Sequence, residues 1–130
     1  MGDSTIPGCR DPQEADHPIT VEPASDPIRI TFAGRVIAET DRAMILREEG
    51  HPPVAYLPRE DVHNEVMRAS ETRTRCPFKG QASYYAIAVE GKVADDAAWI
   101  YPTPCPAVAP IAAFVAFYAD RVTVEGLPPE

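Results

Sequence analysis

The chain has 130 residues, a formal net charge of −8 and 45% hydrophobic residues, which suits one domain built on a single core. The acidity argues against a general nucleic-acid binder, because neutralising phosphates needs a basic face. It fits a soluble protein whose ligand is neutral, cationic or bridged by a metal.

Cys9, Cys76 and Cys105 are odd in number and form no CxxC pair, which argues against a disulfide framework and against a zinc site. Met1 to Arg10 lacks the apolar stretch of a signal peptide. No run approaches ~18 apolar residues, so no helical membrane span is expected. The expected location is cytoplasmic, away from the membrane.

Residues 1–27 read as a disordered, Pro- and acid-rich tail, because no apolar period survives there to offset the entropy of ordering. His17-Pro18 within it reads as incidental. A single β-rich domain is expected over residues 28–125, followed by a short tail at 126–130. Ile28, Ile30 and Phe32 alternate with Arg29 and Thr31, the two-residue period of a half-buried strand. Ala33-Gly34-Arg35 offers a turn, and Val36 to Thr40 returns as its hairpin partner. Ala43 to Glu48 and Val54 to Leu57 extend a meander, broken by Gly50-His51-Pro52-Pro53.

Pro58 predicts the one helix of the fold. Proline favours the first helical turn, Glu60 and Asp61 complement its positive end, and Val62, Val66 and Met67 make an apolar stripe. Ala82 to Val89 is a strong strand with Ser83, Tyr85, Ile87 and Val89 on one face and Ala82, Tyr84, Ala86 and Ala88 on the other. Glu90-Gly91-Lys92 turns it into Val93 to Tyr101, with a kink expected at Asp95-Asp96. The prolines at 102, 104, 106 and 110 predict an irregular connection. A turn or helical piece before Ala112, a strand near Phe117 and a closing strand at Val122 to Glu125 complete the chain. The fold class is mainly β: a compact antiparallel tent or open barrel with one short helix.

Four motifs now stand in order: Tyr56-Leu57-Pro58-Arg59-Glu60-Asp61-Val62; Thr74-x-Cys76-Pro77-Phe78-Lys79-Gly80-x-Ala82-Ser83-Tyr84-Tyr85; Ala98-Trp99-x-Tyr101-x-x-Pro104; and Val115-Ala116-Phe117-Tyr118-x-Asp120-x-Val122. Together they resemble the family known as domain of unknown function 427, sometimes labelled nucleotidyltransferase-like, over about residues 28 to 125. The resemblance implies a small antiparallel β architecture with little helix. It implies no established activity.

Several constellations are candidates for chemistry. Lys79 lies three residues from the Cys76 thiol across a turn, where its charge would favour a thiolate; the plain alternative is a small buried cysteine beside a solvated lysine. Arg59, Glu60 and Asp61 at a helix start, with Lys79, offer an anion site, against simple helix capping. Asp95-Asp96 is the acidic pair that metal-dependent nucleotidyl transfer would use, but adjacent strand residues point to opposite faces. Trp99 and Tyr101 would wall a pocket, against a purely core role.

The expected ligand-binding set is therefore Arg59, Asp61, Cys76, Lys79, Ser83, Tyr85, Trp99 and Tyr101, with Cys76 the candidate catalytic residue and no metal site. The function expected is binding of a small anionic or planar ligand in an aromatic-lined groove. The alternative is an enzyme, either nucleotidyltransferase-like with a divalent metal or thiol-dependent through Cys76. No motif names a cofactor or fixes an oligomeric state.

Overall fold

A computed structural model describes residues 8–12 and 16–129. The parts of the expected tails at residues 1–7, 13–15 and 130 lie outside the described residues. Among the described residues, ten strands form three antiparallel sheets. The first joins β1 (Ile19–Pro23), β4 (Met44–Glu48) and β5 (Val54–Tyr56), in the order β1-β4-β5. The second joins β10 (Thr123–Glu125), β2 (Ile28–Phe32) and β3 (Arg35–Thr40), in that order. The third runs β6 (Met67–Cys76), β7 (Gly80–Val89), β8 (Lys92–Ile100) and β9 (Val115–Phe117). The fold is mainly β, and the described strands close no barrel.

The hairpins follow from their turns. Ala33 and Gly34 both take positive φ (53° and 80°), as do Glu90 and Gly91 (46° and 83°), the backbone of tight turns whose twist matches paired strands. The kink expected at Asp95-Asp96 is a bulge: Tyr85 pairs with Ala98 but Ile87 with Ala94, and Asp96 has φ 51°. Leu57 and Val115 exchange both backbone hydrogen bonds, at 2.8 and 2.7 Å, tying the first sheet to the third.

Strand alternation sorts the side chains into two buried clusters. Ile28, Ile30, Ile37, Ile45, Leu57, Ile87, Ala98 and Val115 belong to the larger. Leu46, Tyr56, Ala82, Tyr84, Tyr101, Val108 and Ile111 belong to the smaller, with Trp99 packed against it. Neighbours such as Ile45 and Leu46, or Tyr84 and Tyr85, therefore face different cores, as the two-residue period requires.

Four expectations are corrected here. The helix from Pro58 is instead two single 3₁₀ turns, Arg59–Asp61 and Asn64–Val66. The reason lies between them, where Val62 bridges Ala38 and the His63 amide donates to the Ile37 carbonyl at 2.8 Å. The backbone groups that would continue a helix are used by β3. The expected tail contains strand β1, paired residue by residue with β4 from Ile19↔Glu48 to Pro23↔Met44. Cys9 and Cys105 form a disulfide, where isolated cysteines had argued for none. The local meander breaks after β3, since β3 and β4 belong to different sheets.

Candidate functional site

The turn between β6 and β7 carries Cys76, Pro77, Phe78 and Lys79. Gly80 is required where it closes: its φ is 113°, and a Cβ there would sit 3.4 Å from the Pro104 Cα and the Thr103 carbonyl oxygen. This close approach lets the Lys79 carbonyl accept from the Cys105 amide at 2.9 Å. Lys79 itself is not solvated. Its Nζ donates to Glu48 Oε1 at 2.8 Å, and both side chains are largely covered. His17 Nε2 lies 2.6 Å from Glu48 Oε2, and the His17 ring stacks on Phe78 with centroids 4.8 Å apart. Burial works to raise the Glu48 carboxyl pKa, but hydrogen bonds from His17 and Lys79 and the lysine charge outweigh it and hold it below the ordinary value.

Behind this trio lies a group of phenols. The Trp99 indole N–H donates to the Tyr56 hydroxyl at 3.2 Å, with the two rings edge to face. Tyr84 and Thr74 hydroxyls are 2.9 Å apart, and Tyr84 and Tyr118 hydroxyls 3.4 Å. Burial raises the pKa of Tyr56 and Tyr101 well above that of an ordinary phenol, with Glu48 and Cys76 adding to the effect in both. Burial, followed by the hydrogen bond with Tyr84, pushes Tyr118 up to about 12. At neutral pH Tyr56, Tyr101 and Tyr118 are therefore neutral phenols.

Two surface grooves border the third sheet. One, of about 270 Å³, is lined chiefly by Pro52, Pro53, Val54, Trp99, Phe117 and Tyr118 and is predominantly apolar. The Trp99 and Tyr118 rings lie 4.5 Å apart at its wall, tilted by 42°. The other, of about 330 Å³, is lined by Cys9, Arg75, Gly80, Gln81, Ser83 and Thr103, among others, and is more polar.

The structure divides the expected site residues. Cys76 and Lys79 share the turn, and Trp99 and Tyr101 pack with the smaller core beside it. Tyr84 stands directly opposite Trp99 and Tyr85 opposite Ala98, so Tyr85 lies on the other face of the sheet. Arg59 lies on that other face too, its Cζ 5.0 Å from the Tyr85 ring centroid and its Nε bonded to Asn64. Ser83 follows Tyr85 by strand alternation. Asp61 is held elsewhere, by the Thr40 hydroxyl at 2.6 Å and by Arg42 at 3.1 Å. Thus Arg59 and Trp99 do not face one ligand.

Asp96 accepts from the Thr72 hydroxyl at 2.7 Å. Among the described residues no group of three His, Cys, Asp or Glu side chains is arranged to hold a metal ion. Sequence reasoning missed Glu48, which ends an ordinary strand pattern, and His17, which sits in an unpatterned segment.

A family model described as Domain of unknown function (DUF427) matches residues 20–126. The chain belongs to the DUF427 family. A search of curated proteins finds no match. The DUF427 match starts at Thr20, within β1, so the family region takes in a strand that composition assigns to the tail. It spans both grooves except for Cys9 and Leu127, and it includes every residue of the Glu48–Lys79 pair and the phenol group.

Proposed function

We propose that this DUF427 protein binds a small planar, largely apolar ligand in the groove beside Trp99. The observation that carries this reading is the state of the indole. Its N–H is already bonded to Tyr56, while its ring lies half-buried at the wall of an apolar groove with Tyr118, Phe117 and two prolines. A ring so placed offers a flat face whose polar edge is satisfied, and stacking adds about 0.5–1.5 kcal/mol to the area buried.

The planar half of the expected ligand is favoured over the anionic half. Lys79, the cation nearest the motif centre, has its charge met by Glu48, and the groove lining contains no basic residue. Nucleotidyl transfer gains no comparable support, because among the described residues no three His, Cys, Asp or Glu side chains are arranged to hold a metal ion.

Trp99 is the single tryptophan of the sequence, so intrinsic emission reports on this groove directly. Titration with an uncharged bicyclic aromatic should quench or shift it saturably, and Tyr118→Ala should weaken the binding about tenfold. Binding that leaves the emission unchanged would place the ligand elsewhere and end the proposal. So would a titration with no saturation.

A further inference from the structure

Independently of the Trp99 groove, we propose that the polar groove on the β6–β7 hairpin docks a small acidic thiol, which exchanges with the Cys9–Cys105 disulfide and becomes attached to Cys9. Three observations converge. First, the two sulfurs are unequal in access: Cys105 is 1% exposed, whereas Cys9 is half-buried and lines the groove. Thiol–disulfide exchange goes to the sulfur an incoming thiolate can reach. Second, Arg75 and Gln81 stand opposite each other on β6 and β7, and Ser83 follows Gln81 on the same face. They give the groove an amide, a hydroxyl and a guanidinium, the last already engaged within the protein but with five N–H donors to share, and together these suit a carboxylate carried on the same molecule as the thiol. Third, the buried sulfur has somewhere to put its proton, since the Pro77 carbonyl oxygen lies 4.0 Å from Cys105 Sγ.

The exchange balances without a further oxidant or reductant. The thiolate of the incoming molecule forms a new S–S bond to Cys9 Sγ, and the Cys9–Cys105 bond breaks. The electron pair goes to Cys105 Sγ, which takes up the proton given by the incoming thiol. The products are a mixed disulfide on Cys9 and a Cys105 thiol facing Pro77. The segment around Cys9 then keeps the backbone hydrogen bond from Arg10 to the Pro77 carbonyl and the Arg10–Phe78 contact, but loses its covalent tie to the domain. Cys9 is thereby a modification site whose occupancy replaces a covalent tie to Cys105 by these weaker contacts.

Net charge provides the discriminating test. A protein at −8 repels an acidic thiol and attracts a cationic one, so a preference for the acidic reagent has to come from the groove itself. The oxidised full-length protein is treated with reduced glutathione, neutral 2-mercaptoethanol and cationic cysteamine. Each rate is divided by that thiol's rate with an unstructured disulfide, and the adducts are mapped by peptide mass spectrometry.

The expected result is an adduct on Cys9, with glutathione favoured over cysteamine by about tenfold. Arg75→Gln and Gln81→Glu should each bring that ratio to parity or below, while the rate with 2-mercaptoethanol stays within about twofold. An adduct on Cys105, a preference for cysteamine, or unpaired Cys9 and Cys105 in the air-oxidised protein would each overturn the proposal.

Discussion

At the scale of single residues, the Glu48 carboxylate is the pivot between the first sheet and the motif turn. It accepts from Lys79 and contacts His17. Substituting Lys79→Met therefore does more than remove a surface charge, since it leaves a largely covered carboxylate with one partner. We expect a loss of about 2 kcal/mol in chemical denaturation, below the range for a fully buried pair because water still reaches these groups. The same carboxylate sets an acid limit. Its pKa is lower folded than unfolded, so its stabilisation is complete above the ordinary glutamate value of 4.5 and disappears as pH falls through the lower folded value. Melting temperatures taken from about pH 6 down to pH 3 should fall less steeply in Glu48→Gln than in the parent protein. Parallel curves would show that Glu48 has no part in acid unfolding.

At the scale of elements, β1 is the test of what belongs to the domain. Ile19 is 6% exposed and packs in the smaller core with Leu46 and Tyr56. Ile19→Ala should cost about 2 kcal/mol, and truncation of the chain before Asp26 should lower the melting temperature by many degrees. A truncated protein that melts with the full chain would return β1 to the status of a dispensable arm. Strands such as β2, β3, β7 and β8 were legible because each has one apolar face and a glycine turn beside it. β6 was not, because Met67–Cys76 runs through Arg68, Ser70, Glu71, Arg73 and Arg75, and its burial follows no two-residue period. As an edge strand it pairs on one side only, where charge protects against pairing with other chains. The helix expected at Pro58 failed for a different reason: the Val62–Val66 spacing fits a helix, but tertiary hydrogen bonds to β3 took the backbone. For the candidate site, the motifs led to Trp99, Tyr101, Cys76 and Lys79. Which of these share a face depended on register and on the bulge at Asp96, and no local pattern records either.

At the scale of the whole molecule, the phenols and the disulfide govern stability together. Tyr56, Tyr101 and Tyr118 have raised pKa values in the folded state, mainly through burial. The unfolded chain thus ionises first as pH rises. These three phenols should therefore leave stability unchanged from neutral pH to about pH 10 and lower it above that, with their phenolate absorbance appearing together with unfolding rather than before it. Phenolate absorbance from all five tyrosines in still-folded protein would contradict this burial. The Cys9–Cys105 bond closes a loop across 96 residues of sequence, so Cys9→Ser should lose about 2–4 kcal/mol by denaturant titration. It also removes one ground for expecting a cytoplasmic protein, since paired cysteines are uncommon where thiols are kept reduced. No helix of the described residues is long and apolar enough to cross a membrane.

The reach of that bond also sets an order of events during biosynthesis. Chains emerge from the ribosome amino-terminus first. Cys9 thus leaves the ribosome well before its native partner does. Until residue 105 appears, the only other cysteine it can meet on its own chain is Cys76. A nascent chain from which Cys76 has emerged and Cys105 has not is where a Cys9–Cys76 mispairing would form, and a cell making this protein under oxidising conditions has to outrun it or undo it.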